Sequence, residues 1–124
     1  MMKANLGFVL LFVSNPLKSS LFYQDLLEIK SVEESPTFVI FALGNGVMLG
    51  LWNKFTAEPR VDIGPGASEV CFPCDDVDAL YDAWSKKHLV ILQKPTDMDF
   101  GRTFVIQDPD GHRIRFYKLL GESK

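Results

Sequence analysis

The chain has 124 residues, with 13 basic and 16 acidic side chains and a formal net charge of −3. A chain of this length buries roughly two thirds of its unfolded surface, which is enough for one domain with its own core. The charges nearly balance and no basic run occurs, so nucleic acid is not an expected partner. Residues 6–13 are apolar but too few to span a membrane, and no basic front or cleavage site precedes or follows them, so we expect a cytoplasmic protein without a membrane partner.

The first half of the chain predicts a strand, a helix and a hairpin in that order. The apolar run Leu6–Val13 predicts the strand. Asn15 is a suitable N-cap and Pro16 a suitable first residue for a helix over LKSSLFYQDLL. Residues Phe38–Trp52 then predict two strands joined by a turn at Gly44-Asn45-Gly46. We interpret this half as a βαβββ unit.

The second half repeats this order. Ala67–Cys74 predicts a strand, and Asp75 or Asp76 caps a helix whose apolar residues recur at i, i+3, i+4 and i+7, namely Val77, Leu80, Tyr81 and Trp84. Gly101–Tyr117 predicts a hairpin around the corner Asp108-Pro109-Asp110-Gly111. The chain therefore predicts one domain over 1–124, with a first module at about 5–55, a second at about 67–120 and a linker at about 56–66 rich in proline and glycine.

Cys71 and Cys74 form a C-x-x-C pair. A zinc site needs two more Cys or His ligands nearby, and the chain has only His88 and His112. A thioredoxin-like site needs the pair at the start of a helix, whereas these residues lie in a predicted strand and face opposite ways. We therefore expect buried free thiols.

Three segments carry a family resemblance: NPLKSSLFYQDLLEIK, DDVDAL and DPDGHRIRFY. With them the chain resembles the vicinal oxygen chelate superfamily, which includes glyoxalase I, extradiol dioxygenases, and bleomycin and fosfomycin resistance proteins. The resemblance implies an α+β fold of two tandem βαβββ modules that form a cupped mixed sheet with the helices on the outer face. FGRTFVIQDPDGHRIR and a tryptophan ending the fourth strand are most similar to the phenazine-antibiotic resistance proteins, which bind aromatic drugs without a metal.

Enzymes of that superfamily hold a divalent ion between ligands on the first and last strands of each module. Threading this chain by its turns and helix starts puts Phe8, Gly50, Glu69 and Arg115 at those positions. Only Glu69 offers a metal ligand, because a guanidinium stays protonated and the other two side chains carry no donor atom. We therefore expect no metal, no other cofactor and no catalytic residue. Glu69 and Arg115 are expected to pair with each other or with a ligand.

Alternation along the strands divides their residues between the cup and the helices. The face predicted to lie under the helices is uniformly apolar and includes Leu11, Val13, Leu49, Leu51, Ile114 and Phe116. The cup face is mixed and also carries Leu10, Cys71 and Arg113, which is typical of a small-molecule site. The ligand-binding residues predicted there, with the edge residue Gly101, are Trp52, Phe8, Phe12, Met48, Gly50, Glu69, Arg115 and Tyr117.

Several of these residues have a second interpretation. Trp52 offers a flat face for a planar ligand, or it packs in the core or at a subunit contact. Phe8 and Phe12 form the opposite wall of a sandwich around the ligand, or they fill a disused metal site. Met48 is an adaptable binding surface or a core filler. Gly101 lets the backbone approach a ligand.

The expected function is metal-free sequestration of a planar aromatic molecule, such as a phenazine antibiotic, by a homodimer. The alternative is a metal-dependent glyoxalase-like lyase or isomerase, or a dioxygenase, whose ligands lie in another register. A third interpretation is a cup filled by its own aromatic side chains, which binds nothing.

Overall fold

A computed structural model describes residues 4–62 and 64–121. The chain divides into two compact units, residues 1–63 and 64–124. The division falls within the predicted linker at 56–66. That the two units make up one domain, and that they form a cup, stays a prediction.

The first unit contains β1 (Phe8–Val13), α1 (Pro16–Leu27), β2 (Glu33–Glu34), β3 (Phe38–Ala42) and β4 (Met48–Asn53). Its sheet has the order β1-β4-β3-β2, with β1 parallel to β4 and the other pairs antiparallel. The helix begins as predicted, because the Asn15 side chain accepts a hydrogen bond from the Lys18 amide at 3.2 Å and Pro16 follows it. The predicted turn is also confirmed, since Asn45 and Gly46 have φ of 52° and 85°.

Alternation explains how α1 covers one face of this sheet. The helix packs against β3 and β4, and Tyr23 and Leu26 on the helix are buried there. The strand residues that complete this core are Leu11, Val13, Val39, Phe41, Leu49 and Leu51, all buried. The opposite face of the sheet, which carries Phe8, Leu10 and Trp52, therefore lies away from the helix.

The second unit contains β5 (Glu69–Pro73), α2 (Val77–Trp84), β6 (Val90–Met98), β7 (Gly101–Gln107) and β8 (Arg113–Leu119). Its sheet has the order β5-β8-β7-β6, again with the first pair parallel. Asp76 caps the helix by accepting a hydrogen bond from the Ala79 amide at 3.0 Å. Trp84 lies in the core, with its ring centroid 4.8 Å from that of Phe116 and 6.2 Å from that of Phe104.

The corner between β7 and β8 has the chemistry that its sequence predicts. The buried Asp108 carboxylate accepts hydrogen bonds from the amides of Asp110 at 2.9 Å and His112 at 2.8 Å. Gly111 has a φ of 99°, which only glycine adopts readily. His112 takes part in this turn through its backbone, because its carbonyl also accepts a hydrogen bond from the Asp108 amide at 2.9 Å.

The fold class is thus confirmed: each unit is a βαβββ module with a mixed four-stranded sheet and one helix on one face. The first strand of each module is shorter than its apolar run, since β1 begins at Phe8 and β5 covers only Glu69–Pro73. Within the part of the chain that the structure describes, the helices are α1 with 12 residues and α2 with 8. Neither is long and apolar enough to cross a bilayer.

The prediction of buried cysteines was wrong for Cys71. Both thiols are free, but Cys71 is exposed and Cys74 is half-buried. Cys71 shares the face of β5 that carries Glu69, whereas Phe72 on the other face stacks on Phe116 at 5.6 Å beneath α2. Cys71 is exposed because the helix covers only that second face.

Candidate ligand-binding site

An open hollow of about 460 Å³ lies on the first unit, on the sheet face away from α1. We call it the aromatic hollow. It is lined by Phe8 and Leu10 from β1, Phe38 from β3 and Trp52 from β4. Its lining is therefore built from apolar side chains, with the indole N–H as their one hydrogen-bonding group. Concave apolar surfaces of this size are typical of small-molecule sites.

Trp52 is the centre of an aromatic cluster. Phe12 lies beside it with ring centroids 5.9 Å apart and planes inclined by 30°, and Phe38 meets it edge-on at 5.8 Å and 83°. Phe38 in turn lies 6.5 Å from Phe8. These contacts hold the half-buried indole in place from two sides, so that little side-chain entropy remains to be lost when a ligand contacts it.

The strand register produces this cluster. Trp52 is paired with Phe12 across the parallel β1–β4 ladder and with Phe38 across the antiparallel β3–β4 ladder. Paired residues project from the same face of a sheet. Of the two interpretations of Phe8 and Phe12, a wall opposite Trp52 does not fit the sheet, because β1 and β4 are neighbours and all three side chains project from one surface. Their role in ligand binding stays a prediction.

Gly50 lies buried beneath the aromatic hollow. A Cβ atom at this position would lie 2.7 Å from Cδ2 of Leu10 and 3.0 Å from Cζ of Phe38. The missing side chain therefore makes room for two residues that line the hollow. Met48 is paired with Phe8 on the same face and is half-buried, but it is not part of the lining.

The second unit carries an ionic cluster formed by Glu69, Arg113 and Arg115. Arg115 donates from Nε to Oε1 of Glu69 at 2.7 Å and from Nη2 to Oε2 at 3.0 Å. Arg113 donates from Nε to Oε2 at 2.8 Å, and its Nη2 lies 2.6 Å from the same oxygen. The predicted pairing of Glu69 with Arg115 is thus present, and Arg113 adds a second cation to it.

Arg115 is held on further sides. Its Nη1 donates to Oε1 of Gln93 at 3.3 Å and to Oγ1 of Thr103 at 3.2 Å. The buried Thr103 hydroxyl itself donates to the Phe116 carbonyl at 2.7 Å. The Phe100 ring centroid lies 5.9 Å from Cζ of Arg115. With only 16% of its side chain exposed, Arg115 is a fixed part of the sheet surface.

These contacts set the charge state of the cluster. The hydrogen bonds from Arg115, followed by those from Arg113, lower the pKa of Glu69 from 4.5 to about 2 against the opposing effect of burial. The hydrogen bond to Glu69 raises the pKa of Arg115. Burial and the nearby Glu69 carboxylate raise the pKa of Cys71, so its thiol is protonated at neutral pH. One carboxylate and two guanidiniums leave the cluster with a net positive charge.

Tyr117 and Gly101 lie elsewhere on the second unit. Tyr117 is half-buried on β8, on the face shared with Arg113 and Arg115. Gly101 has a φ of 152°, and a Cβ there would collide with the Lys118 carbonyl oxygen and lie 2.9 Å from Cα of Leu119. The close approach of β8 explains why glycine occurs at this position, and a role of Gly101 in ligand binding stays a prediction.

The residues at the superfamily's metal positions do not fit a divalent ion. Phe8 and Gly50 offer no donor, Arg115 is a permanent cation, and both carboxylate oxygens of Glu69 accept hydrogen bonds from guanidiniums. Among residues 4–62 and 64–121, no three His, Cys, Asp or Glu side chains lie close enough together to hold a metal.

Sequence reasoning missed Phe38 in the hollow, and Gln93 and Thr103 in the ionic cluster. Phe38 could have been predicted, because counting outward from the turn at Gly44-Asn45-Gly46 pairs it with Trp52. Gln93 could not have been predicted, because the register between β6 and β7 shifts on both sides of it.

Comparison with known proteins agrees with this architecture. Residues 5–116 match the family model described as the Glyoxalase/Bleomycin resistance protein/Dioxygenase superfamily. The match covers most of the chain, and the two βαβββ modules are the ones that this fold requires. The chain belongs to this superfamily.

Three individual proteins are similar to this chain over most of its length. The chain is 35% identical over 116 residues to the phenazine antibiotic resistance protein EhpR of Enterobacter agglomerans, a match that covers 89% of this chain and 88% of the relative. A protein of Agrobacterium tumefaciens solved by solution NMR is 40% identical with a TM-score of 0.85, over 96% of this chain and all of that one. TnmS3, an antibiotic binding protein from Streptomyces sp. CB03234, is 22% identical with a TM-score of 0.76 over 96% of this chain and 98% of its own, which shows the shared fold.

Proposed function

We propose that this protein binds a planar aromatic small molecule in the aromatic hollow without a metal ion, and that it confers antibiotic resistance by sequestering that molecule. A phenazine is the proposed ligand class. The similarity to EhpR, whose name describes resistance to phenazine antibiotics, supports the biological role. The chemistry of the hollow supports the binding mode.

The observation that carries the proposal is the half-buried indole of Trp52 at an open apolar surface. Phe8 beside it is 45% exposed. A contiguous exposed apolar surface, such as these aromatic side chains form in the hollow, is typical of a ligand-binding site. A planar ring that stacks on the indole gains about 0.5–1.5 kcal/mol beyond the area that it buries.

The ionic cluster supports binding without a metal. Glu69 is the one possible ligand at the four superfamily positions, and it is already paired with two guanidiniums. A metal ion arriving at Glu69 has to displace these charge-assisted hydrogen bonds and then lie next to two positive charges.

The binding mode is tested by calorimetric titration with phenazine. Trp52→Ala removes both the stack and about 40 Å² of contact, a loss of about 2 kcal/mol or about 30-fold in affinity. Phe55→Ala is the matched control, because Phe55 is an aromatic residue of the same unit that is 75% exposed and lies outside the hollow. Equal affinity of Trp52→Ala and the unmutated protein would refute the proposed site.

A fluorescence experiment gives independent support. Trp84→Phe leaves Trp52 as the single tryptophan, so phenazine bound in the hollow has to quench nearly all of the remaining emission. Emission that stays constant while calorimetry shows binding would place the ligand elsewhere.

The metal-free part of the proposal is tested by elemental analysis of protein purified without chelator. Near-stoichiometric Ni, Zn, Mn or Fe would overturn it and favour the glyoxalase-like enzyme. The homodimer and the cytoplasmic location stay predictions; sedimentation equilibrium tests the first and cell fractionation the second.

A further inference from the structure

Gly50 occupies a position where glycine has no conformational reason to be. It lies in the middle of β4, paired with Leu10 on one side and Ile40 on the other, and its φ is not positive. Glycine inside a strand weakens the strand, because it loses more backbone entropy on folding than other residues do. Its presence here therefore calls for a reason of space.

The space above Gly50 is filled by two residues of the aromatic hollow. The nearest atoms to a Cβ would be Cδ2 of Leu10 at 2.7 Å, and Cζ and Cε1 of Phe38 at 3.0 and 3.4 Å. All three atoms belong to the ends of side chains and not to the backbone. These side chains settle against the strand because residue 50 has no side chain of its own.

We infer that Gly50 is a positioning residue that sets the depth of the aromatic hollow and thereby favours ligands with three fused rings over smaller ones. This inference rests on the proposed function. A methyl group at position 50 displaces the tip of Leu10 and the ring of Phe38 away from the strand, which raises the floor of the hollow.

The size dependence follows from what each ligand touches. A small ring that stacks on Trp52 alone makes little contact with the floor. A tricyclic ligand extends beyond the indole over Leu10 and Phe38, so that a raised floor separates part of its surface from the protein. Gly50→Ala therefore weakens large ligands more than small ones.

The test compares phenazine with quinoxaline, which has the same diazine ring and one fused ring fewer. Phenazine is titrated calorimetrically and quinoxaline is measured by its displacement of phenazine. Gly50→Ala is expected to lower the phenazine affinity by about tenfold and the quinoxaline affinity by about twofold or less. Gly44→Ala is the matched control, because a Cβ at Gly44 meets nothing within 4 Å, and it leaves both affinities unchanged.

A double-mutant cycle separates this role from a general loss of structure. Leu10→Ala removes the atom nearest to the added methyl group, so in that background the effect of Gly50→Ala on phenazine falls to about threefold. Effects that simply multiply would overturn the inference, as would an unchanged ratio of phenazine to quinoxaline affinity.

The two proposals fail in different ways. If the unmutated protein binds neither compound, the proposed function fails and this inference fails with it. If the unmutated protein binds phenazine and Gly50→Ala binds both compounds as well as before, the inference alone is wrong. Thermal unfolding of Gly50→Ala confirms that the variant tested is folded.

Discussion

Glu69→Gln is expected to destabilise the second unit in a manner that depends on pH. The substitution keeps the shape of the side chain and removes the charge that Arg113 and Arg115 neutralise. The pKa of Glu69 is about 2 in the folded protein, against an ordinary value of 4.5. A difference of about 2.5 units corresponds to about 3 kcal/mol of folding free energy from the ionised carboxylate.

The sign follows from proton binding. A carboxyl group whose pKa is lowered by folding binds fewer protons in the folded state than in the unfolded state. Its contribution is therefore fully present above pH 4.5 and is lost as the pH falls through 2. The difference in unfolding free energy between the unmutated protein and Glu69→Gln is expected to fall by about 2 kcal/mol between pH 7 and pH 3.

Urea unfolding followed by Trp84 emission measures this difference. Trp84 lies in the core of the second unit, and a Trp52→Phe background makes it the single tryptophan. Glu58→Gln, at an exposed position, controls for the loss of one negative charge. A free-energy difference that is the same at pH 7 and pH 3 would refute the argument that the two arginines stabilise Glu69 as an anion.

Two further predictions concern the backbone of the second unit. Gly101→Ala is expected to lower the unfolding free energy by about 2 kcal/mol or more, since its Cβ collides with β8; Gly64→Ala, where a Cβ meets nothing within 4 Å, changes it by less than about 1 kcal/mol. Asp108→Ala leaves two turn amides without their acceptor and costs about 2 kcal/mol, whereas Asp99→Ala at an exposed position has little effect in the same urea titration. Equal losses within either pair would contradict the structural reason given for it.

The elements that could be predicted from the sequence are those whose cause is local. Asn15 and Pro16 specify a helix start because one accepts from a free amide and the other needs no amide partner. The corner at Asp108-Pro109-Asp110-Gly111 is likewise determined by four adjacent residues. Once these turns were placed, alternation along the strands predicted which face each residue occupies. Trp52, Gly50 and Glu69 could therefore be assigned to the sheet faces that the helices do not cover.

The rest depends on which strands are neighbours. The interpretation of Phe12 as a wall opposite Trp52 failed because the position of Phe12 relative to Trp52 is decided by the parallel pairing of β1 with β4, and two strands separated along the chain by a helix give no local signal of their pairing. The position of Gln93 in the ionic cluster could not be predicted, because the bulges in β6 interrupt the alternation that assigns strand residues to faces. Cys71 was expected to be buried because cysteine is usually buried in proteins. Alternation along β5 had, however, already placed it on the strand face away from α2.

The Thr103 hydroxyl gives the ionic cluster a direction. Its single proton points to the Phe116 carbonyl, so the oxygen can offer only lone pairs to Arg115. Serine at this position preserves that one-way arrangement, while valine, although it matches threonine in shape, removes the oxygen that accepts a hydrogen bond from Arg115. The orientation of the Arg115 side chain at the sheet surface therefore depends on Thr103, a residue of the β7–β8 ladder that solvent does not reach.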